Sequence, residues 1–125
     1  VEIQQCLHTT ILTRDLAKAE HFYGEVLGLT PVERTPKFPG TWYQVGDYQI
    51  HLIVDPHFTA PLHHAQKWGR NPHIAFCVAD INRAIATLTQ HNFPFQMSAS
   101  GRPALFVRDP DGNVLELSGS LPPQS

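Results

Sequence analysis

Apolar and polar positions along this chain fall into a pattern that occurs twice. Ile3–Thr13 is rich in β-branched and apolar residues and predicts a strand running up to Asp15, whose carboxylate suits a helix N-cap. Leu16, Ala19, Phe22, Tyr23, Val26 and Leu27 then recur at three- and four-residue steps, which predicts a helix with one buried stripe, stopped by Gly28. Three extended pieces follow, Thr30–Arg34, Thr41–Val45 and Tyr48–Val54, parted by the Pro/Gly-rich stretch Pro36–Gly40 and by a Gly46-Asp47 hairpin signal.

The same order returns further on. His73–Ala79 predicts a strand, and Asp80 caps a helix with Ile81, Ala84, Ile85 and Leu88 inward. Phe93–Met97, Pro103–Arg108 and Val114–Ser118 predict three more strands. Asp109-Pro110-Asp111-Gly112-Asn113 is a turn, because Pro presets one dihedral, Gly accepts a positive one, and Asp side chains bond back to the chain. Residues 55–72, with Pro56, Pro61 and Pro72, hold no sustained period and read as a connector. The expected organisation is one domain over 1–125, with a first module at roughly 3–54, the connector, a second module at roughly 73–118, and a loose tail at Leu121–Ser125.

The repeat carries chemistry at matching points. His51 lies 43 residues after His8, and Glu116 lies 43 residues after His73. Side chains alternate along a strand, so His8 shares a face with Cys6, Thr10 and Leu12, and His73 with Ala75 and Cys77. If the two copies pack about a pseudo-twofold axis, the four residues converge on one cavity. Three imidazoles and a carboxylate suit a divalent ion such as Zn, Ni, Fe, Mn or Co and discriminate poorly among them. An octahedral ion would keep two positions for water or a bidentate substrate. A histidine in a strand is more often a packed core or surface residue, and only the matched spacing raises these above that reading. A buried Glu116 requires a metal or an Arg partner.

Composition narrows the partners. With 125 residues, 42% hydrophobic and 16% charged, the chain builds one core but not two independent ones. A formal charge of −2 with no basic block excludes an electrostatic footprint for nucleic acid, and no stretch points to a membrane surface. A small molecule is the expected partner, and a reducing, cytoplasmic compartment the expected location. Cys6 and Cys77 form no CxxC and read as small buried apolar groups rather than ligands. The connector histidines His57, His63 and His64 read as solvated rather than as a second metal tract. The chain begins at Val1 rather than Met, which points to something removed upstream. Trp42, Tyr43, Arg102 and Arg108 are candidate substrate contacts, with a core role for the aromatics and a surface role for the arginines equally open.

The segment from His8 to Leu16, together with His21-Phe22-Tyr23-Gly24, Val26-Leu27-Gly28-Leu29, Asn71–Phe76 and Asp109–Leu117, resembles the vicinal-oxygen-chelate superfamily. That superfamily includes glyoxalase I, bleomycin-resistance proteins and extradiol dioxygenases. The resemblance implies an α+β fold of two βαβββ modules whose paired curved sheets form an open metal-binding cavity, commonly in a homodimer. It also implies one divalent metal held at positions matching His8, His51, His73 and Glu116.

The leading expectation is a metal-dependent lyase or isomerase of the glyoxalase type, with Glu116 as ligand and base. Glyoxalase I usually has a carboxylate where this chain has His51. Its glutathione clamp is poorly matched, with Leu12 and Asp55 at the expected arginine and asparagine positions. Three alternatives stand beside it. A ring-cleaving dioxygenase would use His8, His73 and Glu116 around Fe(II), but His51 would occupy a position the reaction needs. The others are a fosfomycin-type thiol transferase and a sequestering protein without turnover.

Overall fold

The computed structural model describes residues 1–33 and 37–119. The Arg34 end of the predicted second strand and the tail 121–125 lie outside the described residues. Two compact units are present, Val1–Thr59 and a second beginning at Ala60.

The first unit runs β1 (His8–Thr13), α1 (Leu16–Glu20), a π-helical segment (His21–Val26), β2 (Thr30–Pro31), β3 (Gly40–Val45) and β4 (Tyr48–Val54). Its sheet has the order β1-β4-β3-β2, with β1 parallel to β4 and the other pairs antiparallel. Asp15 caps α1, accepting from the Lys18 amide at 3.2 Å. Gly28 ends the helical run with φ +75°, a conformation glycine adopts at little cost.

The helical run differs from the single α-helix that its periodicity predicts. The Leu27 amide donates to the Phe22 carbonyl, five residues back, at 2.9 Å. This wider turn contains Gly24, the weakest helix former of the segment, and the Tyr43 hydroxyl lies 3.3 Å from where a Cβ would stand there. Phe22, Tyr23, Tyr43, Ile50 and Leu52 make the core beneath it. Each fully buried large side chain contributes about 1.5–3 kcal/mol relative to exposure.

The second unit holds a 3₁₀ turn (Trp68–Arg70), β5 (His73–Cys77), α2 (Ile81–Gln90), β6 (Phe95–Met97), β7 (Ala104–Arg108) and β8 (Val114–Ser118). Its sheet order, β5-β8-β7-β6, repeats the first, so the fold is α+β with two modules of the same topology. Asp80 caps α2 by accepting from the Asn82 and Arg83 amides. Leu88, Leu105, Val107, Leu115 and Leu117 are buried on the helix-covered side.

Two expectations are corrected. The first strand begins at His8 rather than Ile3: β4 starts at Tyr48, its Gln49 pairs with His8, and residues 3–6 have no strand partner in the sheet. Cys6 and Cys77 are exposed, not buried. Cys6 precedes β1, and Cys77 ends the edge strand β5 on the face away from the helix.

Candidate functional site

Strand alternation separates two faces in the first sheet. Tyr43, Ile50 and Leu52 face the helix, so Trp42, Gln49 and His51 face the other way, as do His8, Thr10 and Leu12 on β1. On that second face, Trp42 pairs with His51 across β3 and β4, and their rings stack at 3.8 Å with 3° between planes. His8 stacks on His51 at 4.1 Å and 13°. His51 is buried, and its Nε2 lies 2.8 Å from Gln49 Oε1. Of the two candidate aromatics, Trp42 therefore belongs to the histidine face. Tyr43 lies in the core, where desolvation by burial, followed by the nearby Glu20 carboxylate, raises its phenol to about 12.

The second sheet repeats this register. His51 pairs with Thr10, two residues after His8, and Glu116 pairs with Ala75, two residues after His73. His73 Nε2 lies 3.6 Å from Glu116 Oε1. His73 Nδ1 lies 2.8 Å from the Asn71 carbonyl, an acceptor only, so Nδ1 carries a proton and Nε2 is the nitrogen that faces the carboxylate. A histidine oriented in this way by a backbone carbonyl is the usual arrangement of a metal-ligating imidazole. Glu116 is 8% exposed, and the Arg102 guanidinium stands 3.7 Å from its Oε1, the arginine partner that burial of a carboxylate demands. Phe106, the partner of Glu116 on β7, meets the His73 ring edge to face at 5.4 Å.

Arg108 has a different setting. Its Nε donates to the Gly112 carbonyl at 3.1 Å, and its guanidinium lies 6.0 Å from the Trp68 ring centroid, so it braces the β7–β8 turn. Asp55, at the position of a glutathione-clamp asparagine, caps a local turn by accepting from the His57 amide.

Sequence reasoning passed over Gln49 and gave Asn71 only as part of the Asn71–Phe76 motif. Gln49 is two residues from His51 on the same strand face, and that spacing alone marks it as a neighbour of the ring. Asn71 is buried and staples the connector: its Oδ1 accepts from the His63 and His64 amides, and its Nδ2 donates to the His64 and Trp68 carbonyls.

Among the described residues, no group of three or more His, Cys, Asp or Glu side chains is arranged to hold a metal ion, and the donors stand as one pair in each sheet. The donor types, imidazole nitrogen and carboxylate oxygen, are nonetheless those a divalent transition metal takes. No helix among the described residues is long and apolar enough to cross a membrane.

Residues 5–117 match the Glyoxalase/Bleomycin resistance protein/Dioxygenase superfamily, and the chain belongs to that superfamily. It is 30% identical to the uncharacterized protein YaeR of Escherichia coli (strain K12), over 92% of this chain and 95% of that one. A glyoxalase family protein from Bacillus anthracis has a similar structure, with TM-score 0.76, 25% identity, and coverage of 94% of this chain and 95% of that one. The fold is shared with lactoylglutathione lyase from Agrobacterium tumefaciens (TM-score 0.67, 21% identity, 93% of each chain). It is shared as well with the fosfomycin resistance protein FosX from Mesorhizobium loti (TM-score 0.72, 18% identity, 96% and 94%).

Proposed function

We propose that this chain is a divalent-metal-dependent lyase or isomerase of the glyoxalase type, acting on a small substrate that chelates the ion through neighbouring oxygens. His8, His51, His73 and Glu116 are the proposed ligands. The observation that carries the reading is the repeated register: each sheet sets its pair of donors two residues apart across the parallel strands, on the face opposite its helix. A bound divalent ion would supply Lewis-acid polarisation of the substrate oxygens. Glu116 would take a proton from the carbon beside the polarised carbonyl and return it to the adjacent position, a one-base route. Arg102, now on Glu116, would meet an anionic group of the substrate. Membership of the superfamily supports a small-molecule substrate. A homodimer in the cytoplasm is the proposed setting.

The test is metal content by elemental mass spectrometry on untagged protein, with single alanine variants at the four ligand positions and Glu116→Gln. Near-stoichiometric metal that is lost in the alanine variants is the expected result. Glu116→Gln lowers turnover of an α-hydroxycarbonyl or hemithioacetal substrate by about 10²–10⁴-fold. Failure of the wild-type protein to take up Zn, Ni, Mn or anaerobic Fe(II) would overturn the proposal.

A further inference from the structure

We infer that Gly69 is a positioning residue for the His73–Glu116 pair: its missing side chain leaves the seat for the Phe106 ring, and the ring seated there holds His73 in its place beside the carboxylate. What that setting means for metal binding rests on the ligand role proposed above for His73 and Glu116; the packing itself does not.

On β7, Leu105 and Val107 are buried on the helix side, so Phe106 stands on the opposite face with its partners, Glu116 on β8 and Gln96 on β6. Over that row lies the 3₁₀ turn Trp68–Arg70, tied down on both sides. Gln96 Oε1 accepts from the Trp68 amide at 3.1 Å, and its Nε2 donates to the Gln66 carbonyl at 3.2 Å. Asn71 Nδ2 donates to the Trp68 carbonyl at 3.0 Å. These bonds hold the Gly69 backbone down on the tip of the Phe106 ring. A Cβ at position 69 would stand 2.5 Å from the ring's Cζ and 2.9 Å from its Cε1 and Cε2, where nonbonded carbons settle at about 3.5–4.0 Å. Gly69 does not have a positive φ, so its backbone would accept alanine, and it is the ring that requires glycine there.

The same ring packs against His73. The two meet edge to face, with centroids 5.4 Å apart and planes at 84°. The Asn71 carbonyl fixes where Nδ1 points, and Phe106 limits how the imidazole plane tilts about that direction. His73 Nε2 and Glu116 Oε1 are 3.6 Å apart, longer than an ordinary hydrogen bond, so packing around the pair sets its spacing rather than a bond between its members. A methyl group at position 69 forces either the turn or the ring to give way. The turn is anchored by the hydrogen bonds of Gln96 and Asn71, whereas the ring is kept only by packing. The ring therefore yields, and the His73 ring in contact with it shifts relative to Glu116.

The experiment is a double-mutant cycle over Gly69→Ala and Phe106→Leu, read from the imidazole ¹H and ¹³C signals of His73 in metal-free protein at about pH 8, above the usual imidazole range. Those signals are assigned by their loss in His73→Gln. Leucine ends short of the Cε and Cζ atoms and clears the space that a methyl at position 69 needs. Gly69→Ala is expected to shift the His73 signals in the wild-type background and to leave them unchanged in Phe106→Leu. Zinc titration by calorimetry follows the same pattern, with binding weakened on the order of 10–100-fold by Gly69→Ala alone and no further when it is added to Phe106→Leu. A Gly69→Ala protein that folds only in company with Phe106→Leu supports the inference too, since shortening the ring then relieves the overlap. Unchanged His73 signals in Gly69→Ala, equal changes in both backgrounds, or loss of folding in both overturn it; equal changes would mean that the methyl moves the turn and its Asn71 carbonyl instead of the ring. Shifted His73 signals with unweakened zinc binding overturn the metal half. A wild-type protein that takes up no zinc sinks the functional reading, and the packing half is then decided by the His73 signals alone.

Discussion

At Glu116 the demands of burial and of chemistry fall on one side chain. Its carboxylate is compensated by Arg102, whose side chain is 51% exposed, so the pair is largely screened by water. Arg102→Ala is expected to cost under about 1 kcal/mol in chemical denaturation, while raising KM for anionic substrates more than it changes kcat. Tyr43 makes a second prediction. Its folded-state pKa is raised to about 12, above the unfolded value near 10, so the stabilisation is fully present below about pH 10 and is lost as pH rises toward 12. The loss is about 1.4 kcal/mol per pH unit across that window. Tyr43→Phe should flatten the alkaline fall in stability, measured by urea unfolding at pH 9 to 11.5. Residue identities on the strands were legible from alternation: Trp42 and Tyr43, being adjacent, had to face opposite ways. Which of them faced the histidines required knowing which side the helix covers. The Gln44–Gln49 contact was illegible because it depends on cross-strand register, which no single strand encodes.

Among the elements, those with a strong period came through best. Tyr48–Val54 and Val114–Ser118 form strands over the residues their alternation predicts, and both Asp caps hold their helices. Replacing Asp80 by Ala should cost about 1 kcal/mol, read from the thermal unfolding of the variant. The π-helical segment was not legible, since the buried positions 19, 22, 23 and 26 fit an α-helix as well, and the widening accompanies the contact of Tyr43 with Gly24. The connector shows the opposite case, where a stretch without periodicity is ordered by one side chain. Asn71→Ala removes four hydrogen bonds and leaves buried backbone groups unanswered, at about 1–3 kcal/mol for each group left without a partner. Faster proteolytic cleavage within residues 60–70, with little change in cleavage elsewhere, is the expected signature.

For the whole molecule, the repeat was the most legible property, because duplication writes the same period, cap and turn signals twice and each copy corroborates the other. The reaction was least legible, since one fold carries both a lactoylglutathione lyase and a fosfomycin resistance protein. If the proposed ligands are right, zinc raises the unfolding temperature by mass action, worth about 2.7 kcal/mol at a free concentration one hundred times Kd. The rise is absent in His73→Ala, which differential scanning calorimetry can read directly. The duplicated halves also differ in how freely they can drift. His73 takes its orientation from a main-chain carbonyl that every amino acid at position 71 supplies, so its setting is inherited with the fold. His51 instead meets the side chain of Gln49, itself hydrogen-bonded to Gln44, and a single codon change at either position alters that contact while every proposed ligand stays in place. One module thus carries a contact that the main chain supplies, and the other a contact that a substitution removes.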